Sequence, residues 1–326
     1  MSAGHSGPGP ASGSGRDPRL AAFADSHLLL LDPDLEPTDV VGLLRNLRPR
    51  LSAGDPLPGE GGARAYRLSR HSQLSGPFPV DAPMARDLSL PADASAVYAL
   101  SCPRDREPVP PPEWLPDVDG LAAAFPQGLP CREEGRVLDE VIAVARRLRL
   151  AVRLADEPGM GVRILHPDPD LTPNLFIYSS NWLPPDLLLA HVARVAPQAR
   201  HPRPPKGQRG EAHPEPAELD AYAVEVPLEE DLGPRAGFLE IQVHEDEHLP
   251  PSLVEHLPTP QIVYTLRWVD TDNVGRFPDI DDELRAIRAH AIRTLETCAA
   301  AIMTAAGGAA VDEAGFFVSV QQLRDD

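Results

Sequence analysis

His27-Leu28-Leu29-Leu30-Leu31, followed by Pro37-Thr38-Asp39, returns later in the chain as Asn174-Leu175-Phe176-Ile177-Tyr178, followed by Pro184-Pro185-Asp186. In both places a short apolar run leads into a helical pattern. A run of four to eight apolar residues bounded by turn residues reads as a buried strand. Thr38 or Asp39 in the first phrase, and Asp186 in the second, are expected to cap the helix that follows. The first helix carries Val40, Val41, Leu44, Leu47 and Leu51 on one face. The second carries Leu187, Leu188, His191, Val192 and Val195.

The agreement continues in order. Ala65–Leu68 matches Ala221–Val224, and Val97–Leu100 matches the strand Ile262–Val269, whose Ile262, Tyr264, Leu266 and Trp268 share one face by period two. Phe238–His244 alternates as a strand should, and its counterpart is placed near Leu88 and Leu90. A long helix follows in each, about 133–148 and about 281–305, with Gly307-Gly308 as the C-cap of the second. Asp156-Glu157-Pro158-Gly159 matches Asp312-Glu313-Ala314-Gly315, each the turn of a closing hairpin.

The predicted fold is α+β, an internal duplication of a ferredoxin-like-type β-α-β-β-β-α-β unit. Two sheets carry helices on one face each and are related by a pseudo-two-fold axis. The predicted division is a disordered tail over 1–18, one repeat over 19–166 and a second over 167–326. The second repeat holds a long Pro-rich loop at 200–217 with His201, Lys206, Arg209 and His213.

The 326 residues suit two ordinary domains. The 39 prolines and the near replacement of Lys by Arg are typical of a high-GC coding sequence. A formal net charge of -19 repels phosphate backbones and anionic lipid, so neither nucleic acid nor a membrane is an expected partner. Three scattered cysteines, Cys102, Cys131 and Cys298, form no disulfide framework, which points to the cytoplasm. No run of about 18 apolar residues spans a bilayer.

His244-Glu245-Asp246-Glu247-His248 satisfies His-Glu-x-x-His, but the zinc chemistry needs a helix. Four residues along a strand separate the imidazoles by roughly 13 Å. It reads as an acidic strand-end loop. Acidic clusters at Asp32/Asp34, Asp168/Asp170, Asp270/Asp272 and Asp279/Asp281/Asp282 lack the oxygen set of a calcium loop. There is no phosphate loop, dinucleotide fingerprint or nucleophile elbow. No catalytic residue, metal or cofactor is assigned.

Tyr178, Trp182 and Trp268 are the candidate binding residues, as lining of a ligand pocket or partner surface; core packing is the competing reading and the better one, because aromatics are scarce in this chain and the sheet must be covered. The expected function is a non-catalytic cytoplasmic protein-binding or regulatory/adaptor module, of which an acidic immunity- or inhibitor-type protein is one version. It would act as a monomer or homodimer with another protein as partner. The alternative is an enzyme or small-ligand sensor whose site lies in the cleft between the repeats.

Overall fold

The computed structural model describes residues 18–112, 114–115, 117, 119–171, 173–202, 221–259, 261–270 and 281–324. Most of the Pro-rich loop, including Lys206, Arg209 and His213, lies outside the described residues, as do Asp272, Asp279 and all but the last residue of the expected tail. The protein is mixed α+β, with two antiparallel sheets.

The first sheet and its helices comprise α1 (Pro18–Ala24), β1 (His27–Leu31), α2 (Pro37–Leu47), β2 (Asp55–Pro56), β3 (Arg64–Arg67), β4 (Gln73–Pro79), α3 (Ala82–Asp87), β5 (Ala96–Ser101), α4 (Leu121–Ala124), α5 (Arg132–Leu148), β6 (Ala151–Arg153) and β7 (Ile164–Leu165). Its strand order is β2-β3-β4-β5-β1-β6-β7. The second comprises β8 (Leu175–Ser179), α6 (Pro185–Val192), β9 (Ala221–Pro227), α7 (Glu229–Leu232), β10 (Phe238–Asp246), β11 (Gln261–Val269), α8 (Asp282–Ala306), β12 (Ala309–Asp312) and β13 (Phe317–Val318), in the order β13-β12-β8-β11-β10-β9.

Leu28 to Leu31 of β1 are all apolar because both faces of the strand are covered. Leu29 and Leu31 meet Val40 and Leu44 of α2 and Val137, Val141 and Ile142 of α5. Leu28 and Leu30 point the other way, to Phe23 of α1, Met84 of α3 and Phe78. Helices therefore cover both faces of the first sheet, not one. The second sheet matches the one-face expectation more nearly. α6 and α8 pack on one side, and the segment 249–257 closes the other over Tyr178, Val263 and Val311.

Several expected details shift. The strand placed near Leu88 and Leu90 is instead β4; Leu88 is the C-cap of α3. The Gly76-Pro77 pair hides β4, since it reads as a breaker. The strand admits the pair through a register shift between Ser75 and Phe78. The cap of α2 is Glu36 with Pro37 in the first turn, and that of α6 is Pro184. Proline's fixed φ starts both helices, and neither cap residue makes a side-chain bond. α6 also ends early. Leu188 and Val192 are buried, while Leu187 and Val195 are exposed.

The long helices obey the expected pattern. α5 begins with Glu133 and Glu134 and ends with Arg146 and Arg147, which complements the helix dipole. α8 is capped by Asp281, whose carboxylate accepts from Leu284 N at 2.8 Å, and ends at Gly307 with φ +70°. Gly308, at φ +94°, passes so close to Tyr178 O that a Cβ would lie 2.1 Å from it.

The two sheets meet at a hairpin turn, and also where Arg50 lies 3.9 Å from Glu255. Asp312 Oδ1 accepts from Phe316 N at 2.9 Å, and Gly315 N donates to Asp312 O at 2.9 Å. The turn projects Phe316 into the core beneath the first sheet, where it is fully buried. Around it, Phe317 N donates to Asn46 Oδ1 at 3.2 Å and Ser252 Oγ to Gly315 O at 2.9 Å. The corresponding turn of the first sheet does nothing similar, and Met160 and Val162 beside it are exposed.

Candidate functional site

Beside that hairpin lies a cleft of about 1040 Å³ between the two sheets and their helices. Leu43 of α2, Ala143 of α5, Ile292 of α8 and Phe317 give it apolar surface. Polar groups of both signs complete it, among them Asp39, Arg147, Arg149, Asp170 and Arg293. Arg147 Nη1 lies 3.9 Å from Asp312 Oδ2, and burial raises the Asp312 carboxyl above its ordinary range. Arg149 is the left-handed C-cap of α5, at φ +58°, and is exposed.

Asn174 stands at the start of β8 in the wall of this cleft and is 9% exposed. Its Nδ2 donates to Glu313 Oε2 at 2.9 Å. Its Oδ1 is buried and has no hydrogen-bond partner among the described residues. Arg146 forks onto both oxygens of Asp119 through Nη2, at 2.9 and 2.7 Å, and its Nε is likewise buried without a partner.

The expected aromatic set is divided. Trp268 is buried, its Nε1 donating to Ala236 O at 2.7 Å. Trp182 is half-buried and meets Tyr222 edge-on, with ring centroids 5.3 Å apart. Both pack on the helix side of the second sheet, whereas Tyr178 faces the opposite side. None of the three lines the cleft. The His-Glu-x-x-His run begins on β10, where His244 pairs with Ala221 and Val263, and continues past the strand. His248 there lies 3.2 Å from Asp246.

A second cluster escaped the sequence reading because its members are far apart in the chain. His27, Cys102 and Glu134 offer donor atoms within 4.8 Å of one another. Ala155 N donates to His27 Nδ1 at 3.3 Å, so Nε2 carries the proton and donates to Glu134 Oε1 at 3.0 Å. Glu134 Oε2 accepts from Asp105 N at 2.8 Å and is paired with Arg106, while Arg104 lies 3.8 Å from Oε1.

Burial raises the Glu134 carboxyl, but the bonds from His27 and Arg106 outweigh it and hold the group below its usual range. Burial and the neighbouring Glu134 push the Cys102 thiol up to about 12. A protonated thiol and an imidazole with both nitrogens engaged are poorly suited to nucleophilic chemistry. Two guanidinium groups against the carboxylate likewise repel a metal ion. The cluster is suited to clamping β1, α5 and the 102–107 segment together.

Burial also lowers the His27 pKa, against the pull of Glu134. Its protonation therefore favours the unfolded chain. Stability should be full above the ordinary histidine value of about 6.5 and fall as pH drops below it. The depressed Glu134 carboxyl extends the same trend to lower pH. Thermal unfolding followed between about pH 7 and about pH 5 should show Tm falling in wild type and falling less in His27→Gln.

Among the described residues, no helix is long and apolar enough to cross a membrane. Comparison with known proteins gives no counterpart: no family model matches, and neither a curated protein nor a solved structure matches at a significant level.

Proposed function

We propose that this chain is a non-catalytic, cytoplasmic protein-binding module built from two copies of one β-α-β-β-β-α-β unit. The cleft between the copies receives a segment of the partner. The cleft itself carries this reading. It is mixed in polarity, and its walls come from helices of both halves. The duplication is supported by the strand orders, since β9-β10-β11-β8-β12-β13 runs as β3-β4-β5-β1-β6-β7 does. Duplication creates two equivalent helix faces. The hairpin of the second half adds Phe316 to the core of the first, next to the cleft.

The same volume also favours a second reading, a sensor of a small ligand, because ligand sites commonly occupy spaces of about 300–1,000 Å³. The two are separated by affinity capture from the source cell with the full chain and with Ile292→Arg, a half-buried position that would fill the cleft with charge. The module reading expects one protein retained by wild type and lost by Ile292→Arg, with folding of the variant checked by circular dichroism. Equal retention by both forms would contradict it.

A further inference from the structure

We propose that Pro110-Pro111-Pro112 and Trp114 form a presented recognition segment, taken up by a partner protein in a groove floored with aromatic side chains and rimmed with basic ones. This surface is separate from the cleft, which none of the four residues lines. Pro110-Pro111-Pro112 is the one run of three consecutive prolines in the chain. Proline fixes its own φ at about −65° and holds the residue before it in an extended conformation. Val109, Pro110 and Pro111 each precede a proline, so covalent chemistry alone steers this stretch to polyproline II geometry.

The fold anchors the segment on both sides and leaves it in solvent. Upstream, Glu107 N donates to Leu129 O at 2.9 Å and Arg106 pairs with Pro130. Gly128 lies so close to Glu107 O that a Cβ there would collide with it. Downstream, Leu115 N donates to Pro112 O at 2.9 Å, and Leu115 enters a small pocket with Leu121, Leu129 and Leu138. Asp117 accepts from Ala122 N and Ala123 N, each at 2.8 Å. Between these anchors Trp114 is 80% exposed, more than any other large apolar side chain among the described residues, and Pro110 and Pro112 are exposed with it.

Holding a tryptophan in water stabilises nothing in the free chain, whereas tryptophan is prominent among the residues that carry binding energy. The segment also sits on an extension: residues 102–131 link β5 to α5, where residues 270–281 link β11 to α8. Long connections of this kind are commonly functional. Polyproline II segments dock in grooves lined with aromatic rings, and their rigidity lowers the ordering cost of binding. Glu107 is exposed at the near end, while Arg106 is already paired with Glu134 and Glu157. A basic rim therefore complements the segment, on a chain of net charge -19.

The test pans a phage library of genomic fragments from the source cell on the full chain, with each round counter-selected on Trp114→Ala. Each selected domain is purified and titrated against wild type and three variants, whose folding is checked by circular dichroism. Trp114→Ala should weaken binding at least about ten-fold and Pro110→Ala about two- to five-fold, while Ile292→Arg in the cleft leaves it unchanged. Acrylamide quenching of tryptophan fluorescence should fall when the domain binds wild type, because Trp268 is buried and Trp182 half-buried. A library with no clone preferring wild type to Trp114→Ala would overturn the proposal. So would affinity indifferent to Pro110→Ala, which means the tryptophan is gripped without recognition of the prolines. Loss of binding in Ile292→Arg would place the domain in the cleft, in which case the module reading stands and this second surface fails.

Discussion

Phe316→Ala should lower the stability of the whole chain by about 3–5 kcal/mol, the range for truncating a buried phenylalanine. The residue belongs in sequence to the closing hairpin of the second sheet, yet it is fully buried in the core of the first. Its removal leaves a cavity among groups held rigidly by α2, α5 and β1. It also frees the turn that Asp312 organises, so the wall of the cleft loses its anchor. Phe317→Ala is the control. Phe317 is 39% exposed, and the loss should stay within about 1 kcal/mol. Urea unfolding followed by two independent probes would measure both, and indistinguishable midpoints for the two variants would contradict the account.

Glu134→Ala is expected to cost about 3 kcal/mol, the lower end of the range for removing one partner of a buried ion pair. The carboxylate is fully buried and accepts from His27, Arg106 and the main chain of Asp105. Without it, His27 and the Asp105 N–H lose their partner in the interior. Arg106 moderates the loss, since it is half-buried and keeps Glu157 at 2.7 Å. Glu134→Gln should fall between wild type and Ala, because the amide oxygen can still accept one of these bonds. Chemical denaturation near neutral pH orders the three proteins. Alanine and wild type with the same midpoint would show that the clamp holds nothing.

Much of the scaffold was legible because it rests on local rules. The apolar runs at Leu28 and Leu175, the alternation along Phe238–His244, the Asp281 cap and the Gly307 stop each express a periodicity or a backbone need. β4 was not legible, since Gly76-Pro77 interrupts its alternation in the chain although its buried positions still alternate in space. The second layer over β1 was missed because α1 and α3 are too short to show a helical period.

The site was harder still. Asn174, Arg146 and Ile292 come from three distant segments and converge only through packing. The aromatic residues singled out instead, Trp268 and Tyr178, became core on opposite faces of one sheet. One signal did point to the junction. An aromatic pair, Phe316-Phe317, directly follows a turn whose counterpart at Asp156–Gly159 is followed by Met160-Gly161.

The most direct test of the cleft as the binding surface is photo-crosslinking in the source cell, with a benzophenone side chain at position 292 and, separately, at position 70. Ile292 lines the cleft, while Arg70 is on an exposed turn away from it. The account predicts a discrete adduct with one protein from position 292 and none from position 70. An adduct from position 70 with none from position 292 would contradict it.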